Sequence, residues 1–265
     1  MRKYTKSNPE KEAFSQPKKN DKRKAVSLSV TIKDAGKNYR KAEGILPPIS
    51  FIVIISGGEV REKNYFRTIS NQDKFRRIKI EFIADPQRLN PDGLLELARY
   101  KQERYKTSQE SVPDSIFIIS DVDHFYNDLV RINPECKKEN ISLIVSNPCF
   151  EIWLYYGKFD SKPEDFDIPK NPLKTSKLFK NYLGRKVKGG VNPTHAIFDI
   201  SKAIQNAKTN FEKDDNNIPK LFSTDMFLLA EEILPLIDSE LKKLNAENKL
   251  NKTSHTINEK NRKKL

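Results

Sequence analysis

The stretch ISFIVIISGGE, residues 49–59, decides the fold. Apart from Ser50, its first seven residues are β-branched or aromatic, whereas a strand with one solvent-exposed face would alternate apolar and polar residues. A continuous apolar run of this length predicts a strand that is covered on both faces, as in a parallel sheet between two layers of helices. The run stops at Gly57 and Gly58, and the acidic Glu59 follows.

Similar apolar runs recur along the first half of the chain. They predict strands at residues 78–83, 116–119 and 141–145. A helix is expected from about Arg61 to Ser70. A second helix is expected to open at Asn90-Pro91, because Asn is a capping residue and Pro suits the first helical turn. Between the third and fourth strands the sequence predicts only a short helical or irregular stretch.

The second half of the chain has helical periodicity. Apolar residues at 196, 200, 203, 207 and 211 would share one face of a helix. A last helix is expected to begin after Ser223-Thr224, and Pro235 is expected to kink it or to end its first part. The Lys/Asn-rich chain from about Leu244 is expected to fray or to be disordered, unless its start extends the last helix. The predicted fold class is therefore α/β, with a mainly parallel sheet flanked by helices and a helical C-terminal portion.

The net charge of +13 is concentrated at the two ends of the chain. Residues 1–48 contain thirteen Lys or Arg against five Asp or Glu, and residues 239–265 contain eight against three. Residues 49–238 contain 28 of each sign and are neutral. We therefore expect a basic flexible arm over 1–48, an α/β domain over 49–238 and a basic tail over 239–265. Such basic ends attract nucleic acid or acidic partners, or only increase solubility.

Composition excludes several classes of protein. The chain has no apolar run of about 20 residues, so no membrane span is expected. The polar N-terminus has no apolar core of a signal peptide. Cys136 and Cys149 form neither a CxxC pair nor a zinc pattern, which fits a reducing cytoplasm.

Acidic residues follow three of the predicted strands. Glu59 and Glu62 come after the first strand, Asp121 and Asp123 after the third, and Glu151 after the fourth. In an open parallel sheet the functional crevice lies outside the carboxyl ends of the strands. If the backbone stays extended, Asp121 and Asp123 point to the same side. Neighbouring carboxylates repel one another unless a cation neutralises them, so this pattern indicates a Mg²⁺ site.

Each of these acids also has a structural interpretation. An Asp after a strand often caps a helix or forms a turn. Glu59 and Glu62 fall in the first turn of a predicted helix, where acidic residues complement the helix dipole, and Glu151 could do the same. The coincidence of all these acids at one edge of the sheet favours the functional interpretation.

Three segments of the chain resemble one protein family. They are ISGGEVREKNYF at 55–66, the Asp121/Asp123 pair and SNPCFEIWL at 146–154, which occur in the order and spacing of the RloB family. The helix with Ala203 and Ala207 and the segment STDMFLL at 223–229 also resemble the family. The resemblance spans about residues 49–237.

This resemblance implies a Toprim-like domain, the catalytic fold shared by topoisomerases, bacterial primases and nucleases of the OLD group. It implies Mg²⁺- or Mn²⁺-dependent cleavage of DNA or RNA in bacterial anti-phage or abortive-infection systems, with an ABC/SMC-like AAA-type ATPase as partner. Asp121, Asp123 and Glu151 would be the metal ligands, with Glu59 or Glu62 as the acid/base.

One position departs from the family pattern. The family usually has Glu-Gly-Glu after the first strand, and the leading Glu, the Toprim acid/base, corresponds here to Gly57. Either Glu59 or Glu62 takes over this role, or the protein is a catalytically silent interaction subunit.

A basic segment further along the chain is the candidate substrate surface. Its cations alternate with the aromatic Phe179 and Tyr182, a mixture that suits a phosphate backbone with exposed bases, although a solvated helix face explains it equally well. The candidates are Lys174, Lys177, Lys180, Arg185 and Lys186.

Overall fold

The computed structural model describes residues 49–85, 90–107 and 111–262, with side chains as far as Leu250. The predicted basic arm, residues 1–48, lies outside the described residues. Five strands form one sheet in the order β2-β1-β3-β4-β5. Their bounds are β1 Ser50–Ser56, β2 Ile78–Ala84, β3 Ser115–Asp121, β4 Ser142–Asn147 and β5 Ser223–Thr224.

The first four strands are parallel to one another, which confirms the predicted α/β class and a Rossmann-like arrangement. One helix follows each of the first three strands: α1 Arg61–Ser70, α2 Pro91–Thr107 and α3 Tyr126–Lys138. Between β4 and β5 lie α4 Glu151–Tyr156, α5 Thr175–Lys186, α6 Pro193–Ala196 and α7 Ile200–Thr209, and α8 Met226–Arg262 follows β5.

Strand β1 is buried on both faces, as its unbroken apolar run predicts. Ile52 and Ile54 face a core that includes residues of α1, α4 and α8. Phe51, Val53 and Ile55 face the opposite core, with residues of α2 and α3. Since successive side chains of a strand point to opposite faces, the absence of alternation in this sequence follows directly from the two helical layers.

Several local predictions hold. Helix α1 has the predicted bounds. Helix α2 begins at Pro91, and the Asn90 side-chain oxygen accepts a hydrogen bond from the backbone N–H of Gly93 at 3.1 Å. This is the capping contact expected from the Asn-Pro pair.

Other elements differ from the sequence-based predictions. The stretch between β3 and β4 contains the 13-residue helix α3. The helix expected across residues 196–211 is divided into α6, a 3-10 turn at Ile197–Asp199, and α7. Ser223–Thr224, expected only to precede the last helix, form strand β5, which pairs antiparallel with the end of β4.

Helix α8 does not end at Pro235 and continues to Arg262, so it extends into the segment that begins at about Leu244. Proline within a helix removes one backbone hydrogen bond and usually ends or kinks it. Here Ile233, Ile237 and Leu241 recur every four residues on both sides of the proline and are all buried in the core. Burial of this apolar face stabilises the helix across the missing bond. None of the helices among the described residues has the length and apolar content required to cross a bilayer.

Candidate functional site

The carboxyl ends of three parallel strands meet at one edge of the sheet. β3 lies between β1 and β4, with Ser56 of β1 opposite Ile119 and Ser146 of β4 opposite Asp121. The segments that leave these strands are therefore neighbours in space, although they are far apart in sequence. This is the edge at which parallel sheets place their binding crevice.

The turn after β1 brings Glu62 back over the strand end. The backbone N–H of Gly57 donates to the carbonyl of Ile119 at 3.3 Å, and that of Gly58 donates to Ser56 Oγ at 3.0 Å. A Cβ atom added at Gly58 would lie 1.9 Å from Glu62 Oε2. The Glu62 carboxylate thus occupies the space that any larger residue at position 58 would fill, and Glu62 is buried.

Asp121, the last residue of β3, lies in this group of carboxylates. Its Oδ1 atom is shielded from solvent and has no hydrogen-bond partner in the described part of the chain. Burial raises the pKa of Asp121 well above its ordinary value, and the charges of Glu62 and Glu151 raise it further, while the charge of Lys180 and the backbone N–H of Phe150 lower it by less. Burial also raises the pKa of Glu62, with Glu151 adding to the shift.

Glu151, the first residue of α4, is 3% exposed and pairs with two cations. Arg61 Nε of α1 lies 3.0 Å from Glu151 Oε1, and Lys180 Nζ of α5 lies 3.7 Å from Oε2. Burial alone would lower the pKa of Lys180, but the negative charge of Glu151, with smaller contributions from Cys149, Asp121 and Glu62, raises it overall. We call Glu62, Asp121 and Glu151 the carboxylate cluster.

Aromatic packing fixes the helices that present these acids. Tyr65 of α1 lies one turn after Glu62 and packs edge-on against Phe150 and Trp153, with ring centroids 5.8 Å and 6.3 Å apart. Those two residues flank Glu151 in the sequence. All three aromatic side chains are almost completely buried. Their contacts hold the start of α1 against the start of α4, so they set the separation of Glu62 and Glu151.

Asp123 and Glu59 lie differently from the sequence-based expectation. Strand β3 ends at Asp121, and Asp123 sits in the following turn with a positive φ of 25°. The extended geometry that would have pointed both aspartates to one side is therefore wrong for this pair. The carboxylate of Asp123 lies 3.5 Å from His124 Nε2. Glu59 is exposed, in the turn before α1.

The predicted substrate surface divides into one residue at the site and four residues elsewhere in α5 or just before it. Lys180 contacts the carboxylate cluster through Glu151. Lys186 pairs instead with Asp165 at 2.5 Å and lies over the ring of Tyr182. The remaining cations, Lys174, Lys177 and Arg185, are exposed.

Arg61 is the site residue that the sequence-based reasoning missed. It is next to Glu62 in the chain, but nothing local indicates that its partner is 90 residues away in α4. The position of Arg61 in the sequence could have indicated its role. A cation at the first residue of a helix is unfavourable to the helix dipole, and this indicates an acidic partner elsewhere.

The donors of the carboxylate cluster fit a hard divalent cation. Among the described residues, no three or more His, Cys, Asp or Glu side chains are grouped closely enough to hold a metal by themselves. Mg²⁺ does not need such a group, because it keeps several waters and commonly binds only one or two carboxylates together with substrate phosphates. The unpartnered Oδ1 of Asp121 is the donor that such an ion would satisfy.

A methyl group at position 58 tests the placement of Glu62. In Gly58→Ala the new Cβ displaces the Glu62 carboxylate from the cluster, whereas the backbone needs no change because Gly58 does not have a positive φ. We expect little change in the free energy of unfolding, and a loss of about tenfold or more in any activity that depends on Glu62. The control is Gly184→Ala, where the added Cβ meets nothing within 4 Å. Equal activity in the two variants would contradict this placement.

The metal-free protein should become less stable as the pH rises. Burial raises the pKa of Asp121 in the folded state, so folded protein holds a proton that the unfolded chain releases at about pH 4. The free energy of unfolding therefore falls as pH rises from about 4 through the raised pKa. Asparagine does not titrate, so the Asp121→Asn variant should not lose stability in this way. We therefore expect the free energy of unfolding of the variant, minus that of the unsubstituted protein, to be larger at pH 8 than at pH 5. Urea unfolding in a chelating buffer measures this, and a difference independent of pH would refute it.

Comparisons with known proteins place the chain in a family. A family model described as RloB-like protein matches residues 52–233, a span that includes the whole carboxylate cluster together with Arg61 and Lys180. Searches of curated proteins and of solved structures found no match. The match covers more than half of the chain, and the protein therefore belongs to the RloB-like protein family.

Proposed function

We propose that this protein is a nuclease that cleaves phosphodiester bonds of RNA or DNA with a divalent ion, Mg²⁺ or Mn²⁺, at the carboxylate cluster. One observation carries the proposal. Asp121 presents a shielded carboxylate oxygen that has no hydrogen-bond partner among the described residues, beside two further carboxylates, at the carboxyl ends of parallel strands. Leaving a buried charged group unsatisfied is costly, and such sites are candidates for a bound ion or a catalytic role.

The proposed roles follow from the surroundings of each residue. Asp121 and Glu151 would hold the ion, which when bound stabilises charge on the attacking and leaving oxygens. Asp123 remains a proposed ligand from the adjoining turn. Glu62 is favoured over the exposed Glu59 as acid/base, because its raised pKa brings it closer to neutral pH, where proton transfer is most effective.

The basic side of α5 would hold the nucleic acid. Lys174, Lys177 and Lys180 recur every three residues, so they lie along one side of this segment and lead toward Glu151. Arg185 and Lys186 would extend this surface, although Lys186 is already paired with Asp165. Contacts of this kind bind the phosphate backbone without reading the base sequence. As the family resemblance implies, we propose an AAA-type ATPase of the ABC/SMC-like group as partner, and a role in anti-phage defence.

A second function is favoured by the turn after β1. Gly57 stands where the family usually has its leading Glu, and Glu151 is already neutralised by two cations. On this alternative the protein is a catalytically silent Toprim-like subunit that docks on its ATPase or on phage components.

A cleavage assay separates the two functions. Full-length protein, with and without the ATPase, is incubated with tRNA, single-stranded DNA and duplex DNA in Mg²⁺, Mn²⁺ or a chelator. Metal-dependent cleavage by the unsubstituted protein supports the nuclease. A silent protein that gains cleavage on Gly57→Glu supports the interaction subunit. If neither form cleaves any substrate with its partner present, the nuclease proposal is rejected.

A further inference from the structure

Each oxygen of the Glu151 carboxylate faces a different cation. Oε1 pairs with Arg61 from α1 and Oε2 with Lys180 from α5. Glu151 is 3% exposed, whereas the side chains of Arg61 and Lys180 are 46% and 45% exposed. The acid is thus fixed inside the site, and both cations approach it from the solvent side, where an incoming anion can reach them.

These two cations also compensate the rest of the carboxylate cluster. Lys180 interacts electrostatically with Asp121 and Glu62 as well as with Glu151, and Arg61 interacts with Glu62 as well as with Glu151. Three carboxylates therefore face two organic positive charges. A divalent ion at Asp121 and Glu151 would supply the same amount of positive charge, so the ion and the two side chains are electrostatic substitutes for each other.

The chemistry of both side chains suits a second partner. Arg61 contacts Glu151 through Nε, and its terminal guanidinium nitrogens form no further ion pair with the described residues. A guanidinium presents a planar fork of donors that matches phosphate oxygens, and an ammonium binds phosphate as a point charge. A phosphate of a nucleic acid entering the site is therefore a competing acceptor for both cations.

We propose that Arg61 and Lys180 are phosphate-binding residues that neutralise Glu151 when no divalent ion is bound to it. When a nucleic-acid phosphate draws them away, Glu151 becomes free to bind the ion, so phosphate and metal each promote the binding of the other. This inference rests on the proposed function. It adds that the binding of substrate and the binding of metal are coupled. By thermodynamic linkage, phosphate must raise the affinity for the metal by the same factor as the metal raises the affinity for phosphate.

Neutralising the two cations should change the two affinities in opposite directions. In Arg61→Gln/Lys180→Gln, the competitors for Glu151 are gone, so Mn²⁺ should bind the free protein about tenfold more tightly, a typical size for coupling between sites. The same variant should bind single-stranded 20-mers of DNA or RNA about fivefold or more weakly in a chelating buffer, where no cleavage occurs. If the two residues only stabilised the fold, their replacement would not raise the affinity for Mn²⁺ while lowering the affinity for the oligonucleotide.

The experiment uses full-length protein and needs no turnover. Free Mn²⁺ is counted by electron paramagnetic resonance, and oligonucleotide binding is measured by fluorescence anisotropy. Arg61→Lys/Lys180→Arg keeps both charges and should retain Mn²⁺ affinity close to that of the unsubstituted protein. The matched control is Lys63→Gln/Lys170→Gln, which removes the same charge from exposed residues of α1 and of the loop before α5. Thermal unfolding confirms that each variant is folded.

The outcomes are distinguishable. The proposal that phosphate and metal exchange places on these residues, here called the exchange, is supported by one result. The Arg61→Gln/Lys180→Gln variant binds Mn²⁺ more tightly and oligonucleotide more weakly, and the Lys63/Lys170 control shows neither change. Unchanged or weaker Mn²⁺ binding in the double Gln variant overturns it, as does the same pair of changes in the Lys63/Lys170 control. If the unsubstituted protein binds Mn²⁺ and Asp121→Asn does not, the metal site stands whatever happens to the exchange. If no variant binds Mn²⁺, the exchange and the proposed nuclease both fail.

Discussion

Asp121→Asn should abolish metal-dependent cleavage, with a loss of at least about 100-fold, while leaving the protein folded. The substitution preserves shape but removes the charge of Asp121, whose shielded Oδ1 has no hydrogen-bond partner in the part of the chain that the structure describes. Changes to residues that only support metal ligands already cost roughly 10- to 100-fold, so loss of a ligand itself should cost more. The measurement is initial cleavage rate at saturating Mg²⁺, together with the urea midpoint of unfolding.

Asp225→Asn is the matched control. Asp225 is 2% exposed, and its Oδ1, like that of Asp121, makes no hydrogen bond within the described part of the chain. It forms an ion pair with Lys213 at 3.1 Å and lies outside the carboxylate cluster. We expect it to retain cleavage close to that of the unsubstituted protein. Equal losses in both aspartate variants would show that the Asp121 effect is a general consequence of disturbing a buried acid.

Trp153→Ala should cause a large loss of stability, about 3–5 kcal/mol in the free energy of unfolding. Trp153 is among the largest fully buried side chains and packs against Tyr65 of α1. Its removal leaves a cavity between the two helices that present Glu62 and Glu151, so any cleavage that survives should also decrease. Urea unfolding measures the first effect. Trp153→Phe should lose much less, because an aromatic ring remains in the cavity.

An exposed aromatic provides the comparison for this variant. Tyr100 of α2 is 59% exposed, and Tyr100→Ala should change the free energy of unfolding by no more than about 0.5 kcal/mol. A loss as small as this for Trp153→Ala would contradict the packing described between α1 and α4.

Local sequence patterns were sufficient to predict the four parallel strands. The unbroken run of β1 required cover on both faces, and Asn90-Pro91 marked the start of α2, because these signals depend only on neighbouring residues. The meeting of Asp121 with Glu151 also followed from sequence, since the carboxyl ends of neighbouring parallel strands share one edge.

Features that depend on tertiary contacts could not be predicted in this way. Asp123 would point to the same side as Asp121 only in an extended backbone, and the chain turns after Asp121. The pairing of Arg61 with Glu151 joins residues 90 positions apart and is created by the packing of Tyr65 against Phe150 and Trp153. Helix α8 crosses Pro235 because buried residues on either side hold it to the core, a contribution that outweighs the local preference of proline.

Anomalous diffraction from crystals soaked in Mn²⁺ tests the metal site most directly. We expect one strong Mn²⁺ peak within bonding distance of Asp121 Oδ1 and of a second carboxylate, Glu151 or Glu62, with no peak there in crystals of Asp121→Asn. An empty carboxylate cluster at millimolar Mn²⁺, with Arg61 and Lys180 still on Glu151, would contradict the claim that these acids form a divalent-cation site.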